Sequence, residues 1–433
     1  MKKTIAWGII FLLVVMSFTS ISGNQLNYQL IKSSGGGNIL YVGGSGPGNY
    51  TGIQSAIDDA NNGDTIFVYN GTYYGALDIG KSNITIIGEN RDTTIIDGKK
   101  YFQTVRIYAN RGKLSGFTIR NCSDSGSNLR AIHLWCSYWE VSDNIIIANK
   151  KHGGMFGTHG ILIGGNENIV SNNIITNCRH GIGIEGPGRI LNNIFGNTFF
   201  DNVDGIYINS GTYPEKKENF ITDNIFFDNR VGIYTIFKTN LYQITGNSFY
   251  NNDDGIFTEE GNSRFYISSN NFTNNKNGLY FEYGEKNILE NNQISNNQIG
   301  FYCGASETII KNNSFLYNSE IGIEIVAGEN DIKNNNFIGN GNGIFIRSGR
   351  NKIIKNNFID NGKNAGFRVF IWGAFSNKWI NNYWYDYNGQ GPYLILGELF
   401  SFLLFTEIPW SNVDEYPADE PNNWTTTQGC GIE

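Results

Sequence analysis

All four histidines of the chain, His133, His152, His159 and His180, fall between positions 133 and 180, and Met155, the one methionine beyond the first twenty residues, lies among them. Imidazole and thioether both suit copper, so His152-x2-Met155-x3-His159 is a candidate metal site. His159 and His180 each stand directly before a glycine, as do Asp204 and Asp254. An imidazole near a carboxylate can accept or donate a proton, which makes these four the candidate catalytic residues. Aromatic side chains follow two residues after the glycines, at Tyr207, Tyr234, Phe257, Tyr280 and Tyr302. Two positions further along are Glu185, Glu259 and Glu282. Rings lined up with a few convergent polar groups are what a ligand-binding surface requires, and here the expected ligand is a glycan.

These sets act together only if the chain brings them together, and its internal period does so. A glycine followed by an apolar residue recurs at Gly160, Gly181, Gly205, Gly232, Gly255, Gly278, Gly300, Gly322, Gly343 and Gly366, at intervals of 21 to 27 residues. Inside each unit runs apolar-x-x-Asn-x-apolar-x-x-Asn, as at Ile244, Asn247, Phe249 and Asn252; the first Asn slot is filled at 144, 172, 197, 224, 247, 270, 292, 313, 335, 356 and 382. Units this short and rich in glycine and β-branched residues suit short strands and tight turns. A period of about 22 residues is one coil of a stacked solenoid. The predicted fold is all-β: a single-stranded right-handed parallel β-helix, the hand following from the general preference of parallel crossovers. Eleven or more coils at about 4.8 Å each make a rod on the order of 50 Å long. Residues one and three positions after each glycine point inward, so the aromatic residues between them form an outward column. That column is either a sugar platform or a ladder that stiffens the sheet. Asp204 and Asp254 fall two coils apart, about 9–10 Å, at the upper end of the spacing of an inverting carboxylate pair. The bland reading of the His/Asp column is a set of solvated residues suited to the turn before glycine. The Asn slots are structural: Asn tolerates left-handed backbone and its amide can join a ladder.

The ends differ from the middle. Lys2 and Lys3 precede the apolar run Ile9–Val15 and the small residues Ser20–Gly23, the order of a secretory signal, assigned to 1–23; left uncleaved, it would be a membrane tether. Ile53, Ala56, Ile57 and Ala60 mark a short amphipathic helix that plugs one end of a β-helix assigned to 38–387. Apolar Leu394–Phe405 and Pro409, Pro417 and Pro421 mark an irregular C-terminal cap over 388–433. The chain is acidic, with a net charge of −7 and no basic cluster, which excludes nucleic acid as the partner. Glycine numbers 54 and asparagine 63, against 16% charged residues. The five cysteines show no CxxC spacing, so neither zinc nor a dense disulfide framework is indicated. A monomer is expected.

The run Tyr50–Ile57, followed by Gly63–Tyr73, Asn83–Asn90 and Thr94–Gly98, resembles the opening of pectin-lyase-like right-handed β-helix proteins, and among them the NosD-like group. The ending Asn382-Tyr-Trp-Tyr-Asp-Tyr387 with Ile408–Asp414 and Tyr416-Pro417 is similar to the close of secreted, often archaeal, NosD-like proteins. The resemblance implies an extracytoplasmic protein, secreted or at the cell surface or in the periplasm, with polysaccharide or a cell-surface glycan as partner. It further implies copper or calcium as possible cofactors, although only Asn388–Pro392 stands where relatives carry an Asp/Gly-rich calcium loop. The fold carries lyases, hydrolases, epimerases, adhesins and a copper-site maturation factor, so it leaves activity open. Asn202-Val-Asp-Gly205 and Asp253-Asp-Gly255 look like fragments of the polygalacturonase pattern, but that family needs a later histidine and the last here is His180. The Asp-Pro-His-Asp signature of alginate epimerases does not occur. The expectation is glycan binding, with a polysaccharide lyase or hydrolase and a NosD-like copper accessory protein as alternatives.

Overall fold

A computed structural model describes residues 36–123, 129–148, 158–211, 218–236, 241–260, 264–370, 376–401 and 406–423. Three rows of short parallel strands run up a right-handed solenoid. The first row climbs from Leu77–Ile79 through His159–Ile163, His180–Glu185 and Asp204–Asn209 to Tyr393–Ser401. The second runs from Ile39–Val42 to Thr406–Asp414; it and the first form one 30-stranded sheet, joined through the final hairpin. The third is a separate 14-stranded sheet from Gly71–Tyr74 to Tyr383–Trp384. Fourteen coils at the strand spacing make a rod about 60 Å long, three more than the filled Asn slots. Helix α1, Ile53–Asp59, buries Ile53, Ala56 and Ile57 at the N-terminal end.

The glycines earn their place through a close approach. A Cβ on Gly181 would lie 2.5 Å from the Gly205 carbonyl oxygen and 2.9 Å from the Phe199 ring. Bare backbone is what admits the inner phenylalanines of the third row. Phe199, Phe226, Phe249 and Phe272 stack at 4.7 Å with 4° between planes. One repeat position needs correcting: the residue opposite Gly343 is Asn364, whereas Gly366 lies opposite Phe345 in the outward aromatic column.

The asparagines form two continuous amide ladders. In the longer one Asn144, Asn173, Asn197, Asn224, Asn247 and their successors each donate Nδ2 to the Oδ1 of the next coil, at 2.9–3.1 Å. The ladder residue in the second of these coils is Asn173, not Asn172. Asn172 takes the left-handed turn at φ 54°, so neighbours divide the two roles. Every amide points toward the C-terminus, and the last one, on Asn382, donates to Asp414 Oδ2. Asp414 is wholly buried and also receives the Asn382 backbone N–H and Trp384 Nε1. A carboxylate thus ends the row of aligned donors.

The C-terminal segment is more regular than expected. Tyr393–Ser401 pairs in parallel with Lys363–Phe370, then turns antiparallel onto Thr406–Asp414. Its alternation drives this: Ile395 and Leu399 are buried while Leu394 and Leu396 face out. Pro409 removes a donor from the final strand, which blunts its edge against further pairing.

Candidate functional site

The first row carries two outward columns. The column before the glycines reads Gln103, Arg130, His159, His180, Asp204, Val231, Asp254, Asn277 in continuous register. The second reads Arg106, His133, Leu162, Gly183, Tyr207, Tyr234, Phe257, Tyr280, Tyr302.

His159 and His180 are buried beneath their neighbours rather than solvated. The His159 ring lies over Gly183, where a Cβ would come within 2.3 Å of it. Its Nε2 sits 3.0 Å from Glu185 Oε1. Burial holds the His159 pKa below the ordinary imidazole range, against the opposing pull of Glu185. The ring is therefore neutral, with Nε2–H donating to Glu185 and Nδ1 bare. That hydrogen bond holds the Glu185 carboxyl below its usual range. His133 places Nδ1 3.2 Å from Gln103 Oε1, and burial, followed by Arg130, brings its pKa down to about 4. His180 stacks on Tyr207 at 4.3 Å and puts Nδ1 2.9 Å from Asp204 Oδ2. Asp204, almost wholly buried, also receives Arg230 at 2.6 Å, the compensation a buried carboxylate requires.

Asp254 does not converge with Asp204. Val231 separates them in register, Asn277 Nδ2 donates to Asp254 at 2.6 Å, and burial raises its pKa. The aromatic column is a ladder of half-buried rings: Phe257–Tyr280 at 5.2 Å and Tyr280–Tyr302 at 4.4 Å are stacked, while Tyr207, Tyr234 and Phe257 are tilted on one another. Rings that spend their faces on each other offer edges and hydroxyls to a ligand. Tyr234 donates its hydroxyl to Glu259, Glu282 is half-buried two strands on, and burial pushes the Tyr207 phenol up to about 12. These phenols stay protonated donors across the physiological range.

Rings with free faces lie three and four coils below Tyr207. Tyr108 and Trp135 are 59% and 62% exposed and follow the strands Gln103–Ile107 and Arg130–Leu134 on successive coils. With Gln103, Arg106, Ile107 and His133 they line a groove of about 440 Å³. His133 meets Trp135 edge-on at 4.8 Å, and Asp78 grips Arg106 with both oxygens at 2.5 Å. These residues were missed because Thr104 and Ala131 hold the places of the glycine in their coils. The alternation Val105/Ile107 and Ile132/Leu134, carried upstream by one register step at a time, was the available signal.

Of the copper donors expected at His152, Met155 and His159, only His159 is among the described residues. His152 and Met155 lie outside the described residues. Among the described residues, no group of three or more His, Cys, Asp or Glu side chains is placed to hold a metal ion. His133 and His159 each commit one nitrogen to Gln103 or Glu185, and burial raises the Cys136 thiol to about 12, away from the thiolate that binds metal. At the proposed calcium loop, Asn388 Oδ1 accepts the Gln390 backbone N–H and the Gly391 carbonyl accepts from Tyr387. The described donors therefore do not fit a copper centre. Among the described residues no helix is long and apolar enough to cross a membrane.

Comparison with known proteins agrees with the solenoid. Residues 57–262 match the family described as periplasmic copper-binding protein (NosD), and residues 215–359 match the right handed beta helix region. Among solved structures, the Dettilon tailspike protein is 15% identical over 72% of this chain and 69% of its own, with a TM-score of 0.54. The A-module of the Azotobacter vinelandii mannuronan C-5 epimerase AlgE4 is 14% identical over 76% and 89%, with a TM-score of 0.46. A mannuronic acid specific polysaccharide family 6 lyase from human gut microbiota is 12% identical over 82% and 88%, with a TM-score of 0.47. No curated protein matches the chain. The fold is a right-handed β-helix, and over residues 57–262 the chain is similar to the NosD family. At identities this low, the solved structures speak to the fold alone.

Proposed function

We propose that the protein works outside the cytoplasm and binds a polysaccharide laid along the first row of strands. Tyr108 and Trp135 would stack on sugar rings, with the Tyr207–Tyr302 hydroxyls and Glu185, Glu259 and Glu282 bonding sugar hydroxyls further along. The observation that carries this reading is the groove at Gln103–Trp135, two exposed aromatic faces one coil apart, beside the polar run Arg130, His159, His180 and Asp204. Affinity electrophoresis against a panel of neutral and uronate polysaccharides tests it. Trp135→Ala should lose at least tenfold in affinity and Tyr234→Ala/Tyr280→Ala a smaller factor. Failure to bind any polymer, or wild-type binding by Trp135→Ala, would overturn it.

A second reading, a lyase or hydrolase, is favoured by one arrangement: the imidazole of His180 between the Asp204 carboxylate and the Tyr207 ring. His159 and Asp254 would be its neighbours in the same column. Unsaturated-product and reducing-end assays decide it, and His180→Ala would abolish turnover.

A further inference from the structure

The outer face of the third row has a property that the polysaccharide reading does not use. From the strand Ile145–Ile147 to Asn357–Ile359, ten strands in register, no outward position carries a charge. The last charges before it are the Asp97–Arg120 pair, at 3.1 Å. One half of the face is apolar. Ile147, Ile174, Phe200, Ile225, Phe227 and Tyr250 all point outward, Ile225 with 41% of its surface exposed. Phe200, Phe227 and Tyr250 stand as a ridge, stacked at 5.0–5.2 Å with no more than 8° between planes. The remainder is Ser, Thr, Asn, Gln, Leu and Ile.

We propose that this face docks on the same face of a second copy of the chain. Three features select that partner. The chain has a net charge of −7, so two copies approach closely only where charge is absent, and this face supplies such a surface. The face is also its own complement. The two outward columns stand about 6.6 Å apart, two residue rises, with a furrow over the inward residues between them. A two-fold axis through the strand Ile225–Phe227 lays the apolar half of one copy, with its aromatic ridge, over the apolar half of the other, as in face-to-face sheets. The third feature is size. With that axis seven of the ten strands overlap, about 30 Å by 10 Å from strand spacing and rise, or roughly 600 Å² across both copies, the scale of a weak, reversible pair. Exposed Asp143 and Asp223 flank the apolar half on one side and Asp201 and Asp228 on the other. These rims repel across the pair and set its salt response. This inference replaces the monomer expected from the sequence and stands independently of the polysaccharide reading.

Sedimentation velocity of the purified protein from 1 to 300 µM, at 0.05 and 1 M NaCl, tests it. A reversible dimer is expected, strengthened about threefold or more by salt as the Asp rims are screened. Ile225→Lys and Phe227→Lys, both outward and away from the core, should be monomeric with an unchanged far-UV spectrum. A monomer at every concentration would overturn the proposal. So would a dimer that salt dissociates, or one that both lysine variants keep. Polysaccharide binding lost in Ile225→Lys but kept in Trp135→Ala would overturn it as well, by giving the face to glycan instead.

Discussion

Replacing Asn252 with alanine separates the two roles that asparagine plays in each coil. Asn252 Nδ2 donates to the carbonyls of Phe226 and Tyr250 and to Asn275 Oδ1, while its Oδ1 accepts the backbone N–H and Nδ2 of Asn229. All but the bond to Tyr250 are buried. Alanine leaves the Asn229 N–H without its acceptor and the Phe226 carbonyl without this donor, at about 1–3 kcal/mol for each buried group. A loss of roughly 3–5 kcal/mol follows. Asn251, the adjacent residue, is exposed with φ 56° and contributes its tolerance of the left-handed region and a surface hydrogen bond to Asp228; alanine there costs about 1 kcal/mol. Urea unfolding followed by tryptophan fluorescence and far-UV circular dichroism reads both variants. Because solenoid coils stabilise only their neighbours, coincidence of the two probes is checked first. Equal losses at 251 and 252, or a loss below about 1 kcal/mol at 252, would refute the ladder as a source of stability.

Other outcomes follow from the same geometry. Asp414→Ala strands the Asn382 and Trp384 donors at the ladder's end, so the C-terminal coils should open first, seen as faster hydrogen exchange at 378–384 with little change near 200. Gly181→Ala forces a methyl against the Gly205 carbonyl; overpacking of this kind costs about 1–3 kcal/mol, and a thermal midpoint equal to wild type would contradict it. The histidines make stability depend on pH. The folded pKa of His133 lies below the unfolded value of 6.5, at about 4, so the unfolded chain binds the extra proton and stability falls as pH drops from about 6.5 toward 4. Buried His159 adds to this in the same direction. Glu185, whose folded pKa is lowered by His159, contributes stability that is lost as pH falls below the ordinary carboxylate range. His133→Gln should flatten the 6.5-to-4 limb of a chemical-denaturation profile, and an unchanged slope would count against the burial.

Much of this was legible because stacking turns sequence distance into position. Gly160 to Gly343, the Asn slots and the Tyr207–Tyr302 column fall in register because the coil length hardly varies and each coil can pair only with those above and below. The errors have the same origin. Where Lys363-Asn-Ala shifts the phase, Gly366 moves to another column. Upstream, Thr104 and Ala131 fill the glycine place, and Gln103, Arg106, Tyr108 and Trp135 passed unnoticed. The C-terminal hairpin was hidden because its prolines read as breakers, although only Pro409 enters a strand and does so at an edge.

Periodicity alone determined the solenoid, its inward and outward faces and the neighbours of each repeated residue, since with parallel strands those follow from chain order and a 4.8 Å spacing. It could not determine how side chains settle within a column, because burial, ring orientation and pairing depend on contacts across coils of unequal composition. Only the tertiary structure made His159 a buried neutral donor to Glu185 and gave Asp204 to Arg230 and His180. It also stacked Tyr280 on Tyr302, tilted Tyr207, Tyr234 and Phe257 on one another, and left the open ring faces to Tyr108 and Trp135.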